Sequence, residues 1–262
     1  MRRREYRDQK TLQWLHHIRN EELKAAMRFF PSDKRIRILE IGGGEGYVAK
    51  CISDIGYDVT SIDIAPIFPQ LYPVLEVDAT RLNFRSETFD LVFSCQVLPN
   101  VKEIERAFQE IKRVLKKDGI VIHTVPTTWW RLITSFWHYF LMPKHLVYYV
   151  IRKLGHTNNR KRTADQNEDY ANKHKVVLTL DRLFNYAVLP VGTSPTSVHE
   201  IYYFCRFFWS KLFKRNGFQI ICVENGPYLY SGYFVFKTSF LKFRKFMARC
   251  FISSSYCFVL KK

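Results

Sequence analysis

Apolar residues along this chain recur at two different periods, and the changes of period mark its elements. The run Ile36, Ile38, Leu39 and Ile41 is short enough to be one buried strand. Gly42, Gly44 and Gly46 follow at alternating positions, with Gly43 and Glu45 between them. Val48, Ala49, Ile52 and Ile55 then take helical spacing, and Gly56 supplies the stop. Val59 to Ile62 reads as a second strand that ends on Asp63. Further short strands are predicted at Val74–Val77, Asp90–Ser94 and Ile120–Val125. Ile104, Ala107, Phe108, Ile111 and Leu115 predict an amphipathic helix, ended by Lys116-Lys117-Asp118-Gly119 with Gly119 as the cap. Before the first strand, Thr11 to Phe30 is helical in pattern, with Trp14, Ile18, Ala25 and Phe29 on one side. Near the end come a helix over Tyr202–Asn216 stopped by Gly217, then strands at Phe218–Val223 and Tyr256–Leu260. Strand and helix in alternation imply an α/β fold with a doubly wound, mostly parallel sheet. Its ligands bind at the carboxyl ends of the strands.

Strand, glycine loop, helix, strand, carboxylate is an arrangement with a chemical use. Glycine lets a ligand approach the backbone closely, and the helix that follows offers unpaired N–H groups. An acid closing the second strand can accept both hydroxyls of a ribose. The predicted ligand contains a nucleoside. The spacing here is Glu40-x-Gly42-x-Gly44-x-Gly46 rather than the dinucleotide pattern G-x-G-x-x-G. It resembles motif I of the class I S-adenosylmethionine-dependent methyltransferases. The resemblance continues through Asp63, Val77-Asp78-Ala79, Phe89-Asp90-Leu91-Val92-Phe93-Ser94 and Leu115-Lys116-Lys117-Asp118-Gly119. It implies a seven-stranded, Rossmann-like sheet whose last strand is antiparallel, between the fifth and sixth. It also implies S-adenosyl-L-methionine as cofactor, held by Glu40, Gly42, Gly43, Gly44, Gly46, Asp63, Ile64, Asp78, Ala79, Cys95 and Gln96. In that family the acid at Asp78 lies near the adenine amino group, and Asp78 can cap the following turn as well. Pro99 and Asn100 stand where related sequences often carry Glu-His.

Two segments exceed the minimal fold, 126–198 after the fifth strand and 226–255 between the last two. The expected domains are an N-terminal helical segment 1–34, a cofactor core 35–125, a cap 126–198 and a completion of the core 199–262. Both insertions leave carboxyl ends of strands, so both belong on the substrate face. The first opens with Trp130, Ile133, Phe136, Trp137, Phe140 and Leu141 at helical spacing, continues as a second apolar helix over Leu146–Leu154, and then turns polar over Thr157–Lys175. Arg131 and Lys144 bracket twelve residues, fewer than the roughly 20 that cross a bilayer. Either a helix at the lipid–water interface or a hydrophobic cap on the sheet fits this pattern. The second insertion alternates Phe240, Leu241, Phe243, Phe246 and Met247 with Lys242, Arg244, Lys245 and Arg249, a basic amphipathic helix suited to an anionic membrane surface.

Charge sharpens that expectation. Residues 1–126 carry 20 Lys+Arg against 18 Asp+Glu, whereas 127–262 carry 21 against 6. The net +15 of the second half favours an anionic partner, whether a phosphorylated acceptor, an acidic lipid surface or nucleic acid. Six cysteines without a C-x-x-C pair or histidines at ligand spacing read as thiols of a reducing compartment, with no metal. The basic N-terminus lacks an apolar stretch behind it, so no signal peptide is expected and the location is cytoplasmic. His16 and His17 are expected at the surface, and His123 as a core histidine. His199 and Glu200 precede a helix that returns from the substrate face and are the candidate catalytic bases; capping that helix is the alternative role. Segments Trp129-Trp130-Arg131-Leu132, His199-Glu200-Ile201-Tyr202-Tyr203 and Tyr230-Ser231-Gly232-Tyr233 are similar to methyltransferases of bacterial surface-polysaccharide gene clusters. That likeness implies a sugar, glycan or lipid-linked acceptor at the inner membrane surface. The rival readings are an RNA methyltransferase and an inactive methyltransferase-fold binding protein.

Overall fold

The computed structural model describes residues 9–140, 193–232, 239–250 and 252–262. Helix α1 (Gln9–Met27) precedes β1 (Arg37–Ile41), α2 (Tyr47–Asp54), β2 (Asp58–Asp63), β3 (Val74–Glu76) and β4 (Phe89–Cys95). A 3-10 turn at Leu98–Asn100 leads to α3 (Ile104–Val114) and β5 (Leu115–Pro126). Residues 128–140 form α4. They are followed, past the undescribed part, by α5 (Ser197–Tyr203), α6 (Arg206–Arg215), β6 (Gln219–Asn225), α7 (Leu241–Cys250) and β7 (Ser255–Lys261).

The seven strands form one sheet in the order β3-β2-β1-β4-β5-β7-β6. Only β7 is antiparallel, to β5 and to β6, where the resemblance implied it. Strand order reverses between β1 and β4, which opens a crevice at their carboxyl ends. Alternation along each strand feeds two cores. Leu39, Val92, Val121 and Phe258 pack with α3 and α6 through Phe108, Ile111, Trp209 and Phe213. Ile38, Leu91, Phe93 and Ile122 pack with α1 and α2 through Leu23, Ala26, Ala49 and Ile52. Each such side chain contributes about 1.5–3 kcal/mol on burial.

The structure corrects several boundaries and faces. Helix α3 stops at Val114, because Leu115 is fully buried in strand conformation and pairs with Phe89. Register then shifts, with Leu91 opposite Ile120, so residues 116–119 bulge opposite Asp90. Gly119 is therefore no helix cap: a Cβ there would lie 3.0 Å from the Asp90 carbonyl oxygen. The helix expected over Tyr202–Asn216 is two helices, broken where Cys205 adopts extended backbone and its Sγ accepts from Phe208 N–H at 3.3 Å. Gly217 does end the second, with φ +75°. The sheet-facing residues are Leu23 and Ala26 on α1 and Phe30 just beyond it, the last two one position on from the expected Ala25 and Phe29. The expected apolar helix 146–154 and polar loop 157–175 lie outside the described residues.

Helices α4 and α7 are turned opposite to simple amphipathic expectation. On α4, Arg131 and Thr134 are buried while Trp129, Leu132, Phe136, Tyr139 and Phe140 are exposed. On α7, Arg244 is buried, donating Nε–H to Leu229 O at 2.7 Å and stacking over the Trp14 ring. Lys245 pairs with Glu21 at 3.0 Å. Phe240, Phe243 and Phe246 are exposed, each by 60–70 %. The basic residues of α7 are thus divided, Arg244 turned inward and Lys242 and Arg249 outward, which a sequence wheel alone does not distinguish.

Candidate cofactor and acceptor site

Carboxyl ends of β1 to β4 bring the predicted cofactor residues onto one edge. The glycine loop is tied down from below, with Gly42 and Gly43 N–H donating to Ile62 O at 2.7 and 2.9 Å. Asp63 spans it from the side: Oδ2 accepts from Gly44 N–H and Oδ1 from Ala65 N–H, both at 2.9 Å. A carboxylate has about four lone-pair positions, so two remain for a ribose diol. Ile64 beside it is exposed. Gly44 has φ +59°, and a Cβ built there would meet only Ile67 Cδ1, at 3.8 Å. That open cradle fits close approach of a ligand to the backbone. At the edge beyond, Asp78 Oδ1 accepts from Thr80 N–H at 2.8 Å, capping its turn, and Ala79 packs against the core. Cys95 and Gln96 end β4, Gln96 with φ +59° and its N–H on Thr124 O at 2.8 Å.

Glu40 lies beneath the loop. Its carboxyl is almost fully buried, accepts from Ser61 Oγ at 2.6 Å, and would crowd any Cβ at Gly43. Burial, with help from the Asp63 charge, pushes this carboxyl up to about 7. The sign of the pH effect follows. Below its ordinary 4.5 the group is protonated folded or unfolded; between there and 7 only the unfolded chain releases the proton. Stability should therefore fall by about 3 kcal/mol as pH rises through that window, then level off. Urea denaturation of wild type and Glu40→Gln at pH 4.5 and 8 checks this. The variant is expected to lose most of that fall, and equal pH dependence in both would contradict it.

The structure places His16 and His17 differently from expectation, and His123 in the core as expected. His16 is half-buried, hydrogen-bonded to Glu45 of the glycine loop and stacked on Tyr47 at 3.9 Å between centroids. His17 is half-buried between Trp14 and Tyr228. Both leave the surface because α1 lies across the loop and against the segment after β6. His123 is fully buried, bonded through Nδ1 to Ser94 Oγ at 2.7 Å, and burial holds it neutral by lowering it to about 3. His199 is exposed in the first turn of α5, with Nδ1 2.7 Å from the capping Thr196 Oγ1. Glu200 is wholly buried and ion-paired to the equally buried Arg131 at 2.9 Å.

One cluster escaped the sequence reading. Glu22 of α1 is buried, and its carboxylate collects four donors at the end of β4. Oε1 accepts from Tyr230 OH at 2.9 Å and Gln96 Nε2 at 3.1 Å. Oε2 accepts from Arg19 Nη1 at 2.5 Å and Cys95 Sγ at 3.3 Å. A signal was available: Trp14, Ile18 and Glu22 stand at i, i+4 and i+8, a carboxylate on the apolar stripe of the helix. A cavity of about 250 Å³ between Pro31, Asp90 and Gly119 lies at the opposite, amino ends of the strands and shares none of these residues.

Comparison with known proteins gives this geometry its family. Residues 39–123 match the methyltransferase-domain family. By that match residues 39–123 form a methyltransferase domain. An uncharacterized protein of Methanocaldococcus jannaschii is 36 % identical over 91 residues, covering 34 % of this chain and 36 % of its own. The uncharacterized methyltransferase YcgJ of Bacillus subtilis is 29 % identical over 136 residues, covering 46 % and 52 %. This chain therefore spans about half or less of the curated relatives it matches. A solved S-adenosylmethionine-dependent methyltransferase of Mesorhizobium loti shares the fold, with a TM-score of 0.51 at 13 % identity over 92 % of this chain and 98 % of that one. The methyltransferase domain coincides with β1 to β5 and holds Glu40, the glycine loop, Asp63, Asp78 and Cys95; the second half has no such counterpart in the family match.

Proposed function

We propose that the protein transfers a methyl group from S-adenosylmethionine to a hydroxyl of a lipid-linked sugar or glycan, while docked on an anionic membrane surface. The cofactor supplies an electrophilic methyl group on a positively charged sulfur. Asp63 and the backbone of Gly44 would hold its nucleoside, and α1 with the segment after β6 would exclude water from the end of β4. The observation that carries the membrane part is the outward turn of α4 and α7. Both leave the carboxyl edge, and both expose aromatic side chains where a water-facing helix exposes charge. Lys242 and Arg249, also exposed on α7, stand beside that aromatic row. Among the described residues no helix is long and apolar enough to cross a membrane, and the contact proposed is a peripheral one.

Co-sedimentation with vesicles of graded anionic lipid content tests the docking. Phe243→Ser with Phe246→Ser should weaken vesicle binding at least tenfold and leave cofactor affinity unchanged, since each inserted Phe contributes on the order of 1.5–3 kcal/mol. Tight RNA binding without vesicle binding would overturn the membrane reading. The acceptor is tested by incubating the protein and labelled cofactor with a membrane lipid extract and following label into the organic phase. Cofactor binding without transfer to lipid, sugar or RNA acceptors would favour an inactive binding protein.

A further inference from the structure

The groups able to handle a proton at the carboxyl edge sort themselves by what they already touch. Glu200 is committed to Arg131, His199 stays on its cap, and burial together with the Glu22 charge keeps the Cys95 thiol protonated. Glu22 and Tyr230 differ, because their hydrogen bonds converge on Cys95 and Gln96, the residues that end β4. Gln96 is held there in the left-handed region, a conformation costing of order 1 kcal/mol for a residue with a side chain. The hydrogen bonds that its side-chain amide donates to Glu22 and its backbone N–H donates to Thr124 O hold it in place. A buried carboxylate with four donors and a strained neighbour is an expensive construction for packing alone.

We infer that Tyr230 is the catalytic residue that meets the acceptor hydroxyl, and that Glu22 is the positioning residue that orients it and takes its proton. The inference rests on the reading above of methyl transfer to a hydroxyl and adds the machinery for the proton. Tyr230 donates its O–H to Glu22 Oε1, and its phenol oxygen keeps lone pairs with which to accept from an incoming hydroxyl. Burial and the neighbouring Glu22 charge raise the Tyr230 phenol well above its ordinary range, so it is not a phenolate in waiting. Removal of the acceptor proton must then be a relay. As the acceptor oxygen bonds to the methyl carbon, the carbon–sulfur bond breaks and its electron pair stays on sulfur. The acceptor proton passes to the Tyr230 oxygen while the Tyr230 proton passes to Glu22. Arg19, 2.5 Å from Oε2, holds the carboxylate in line before transfer.

The test uses the full chain, labelled S-adenosylmethionine and the membrane lipid extract, with three readouts for each variant. Tyr230→Phe keeps the ring packing and is expected to lower kcat about a hundredfold or more. Cofactor Kd by calorimetry and KM for the extract should stay within about threefold, because the hydroxyl is needed only when the proton moves. Glu22→Gln keeps an acceptor for the Tyr230 hydroxyl but cannot take its proton, and should show the same split. Should Tyr230→Phe fail to fold cooperatively on thermal melting, Glu22→Gln decides. A kcat within threefold of wild type in the folded variant, or a loss confined to cofactor affinity, would overturn the inference. If wild type transfers no label to the extract while binding the cofactor, the reading of methyl transfer to a hydroxyl itself fails, and this inference with it.

Discussion

Glu200→Ala is expected to destabilise the protein by about 3–5 kcal/mol, a large share of a typical domain's 5–15 kcal/mol. The reason is the company that Glu200 keeps. Its side chain and that of Arg131 are both essentially inaccessible to water, and their charges lie 2.9 Å apart between α5 and α4. Removing the carboxylate takes away the charge that offsets a buried guanidinium, and the desolvation penalty of that guanidinium remains. The neighbouring Thr128 Oγ1 hydrogen bond to Ile201 O, 2.7 Å, joins the same two helices and cannot replace a charge. Urea unfolding of the variant measures the effect. Replacing both members with Leu and Met should recover much of the loss, because the buried guanidinium goes with the carboxylate. A loss below 1 kcal/mol for Glu200→Ala would mean that the pair is not the link between these helices.

Gly44→Val should abolish cofactor binding while leaving a cooperative fold, and Gly46→Val should damage the fold itself. The two glycines are two residues apart in one loop, and both have positive φ, +59° and +82°. What separates them is the space beside them. A Cβ on Gly46 would lie 2.4 Å from the Tyr72 carbonyl oxygen, a backbone atom that cannot step aside. A Cβ on Gly44 points into open space with Ile67 Cδ1 at 3.8 Å, so the protein tolerates it apart from strain of about 1–2 kcal/mol. That open space is where the nucleoside would approach the backbone, and a branched side chain would fill it. Calorimetry against the cofactor and thermal melting of both variants separate the outcomes. Undiminished binding by Gly44→Val would show that the ligand keeps away from this side of the loop.

Much of the sheet was legible in the sequence because its signals are local. Ile38 to Asp63 spells strand, loop, helix and strand with a stop at Gly56, whose φ is +99°. The end of α3 was not legible: Lys116-Lys117-Asp118-Gly119 is a good helix terminator, and only the pairing of Leu115 with Phe89 turns it into a bulged strand. The faces of α4 and α7 were hidden for a related reason. Arg131 and Arg244 look like surface residues until Glu200, far away in sequence, and the Leu229 carbonyl supply their buried partners. At the candidate site, motif spacing singled out Glu40, Gly44 and Asp63. Glu22 and Tyr230 are 208 residues apart, and their meeting is a product of α1 folding over the end of β4.

The central claim is that the carboxyl edge of β1 and β2 holds the nucleoside of S-adenosylmethionine, with Asp63 on the ribose. Isothermal titration of the cofactor into wild type and Asp63→Ala tests it most directly. The account predicts one site per chain in the wild type, weakened in the variant by roughly 10- to 150-fold, the equivalent of about 1.5–3 kcal/mol for hydrogen bonds to a charged group. Wild type that does not bind the cofactor, or a folded Asp63→Ala variant that binds it equally well, would contradict the account.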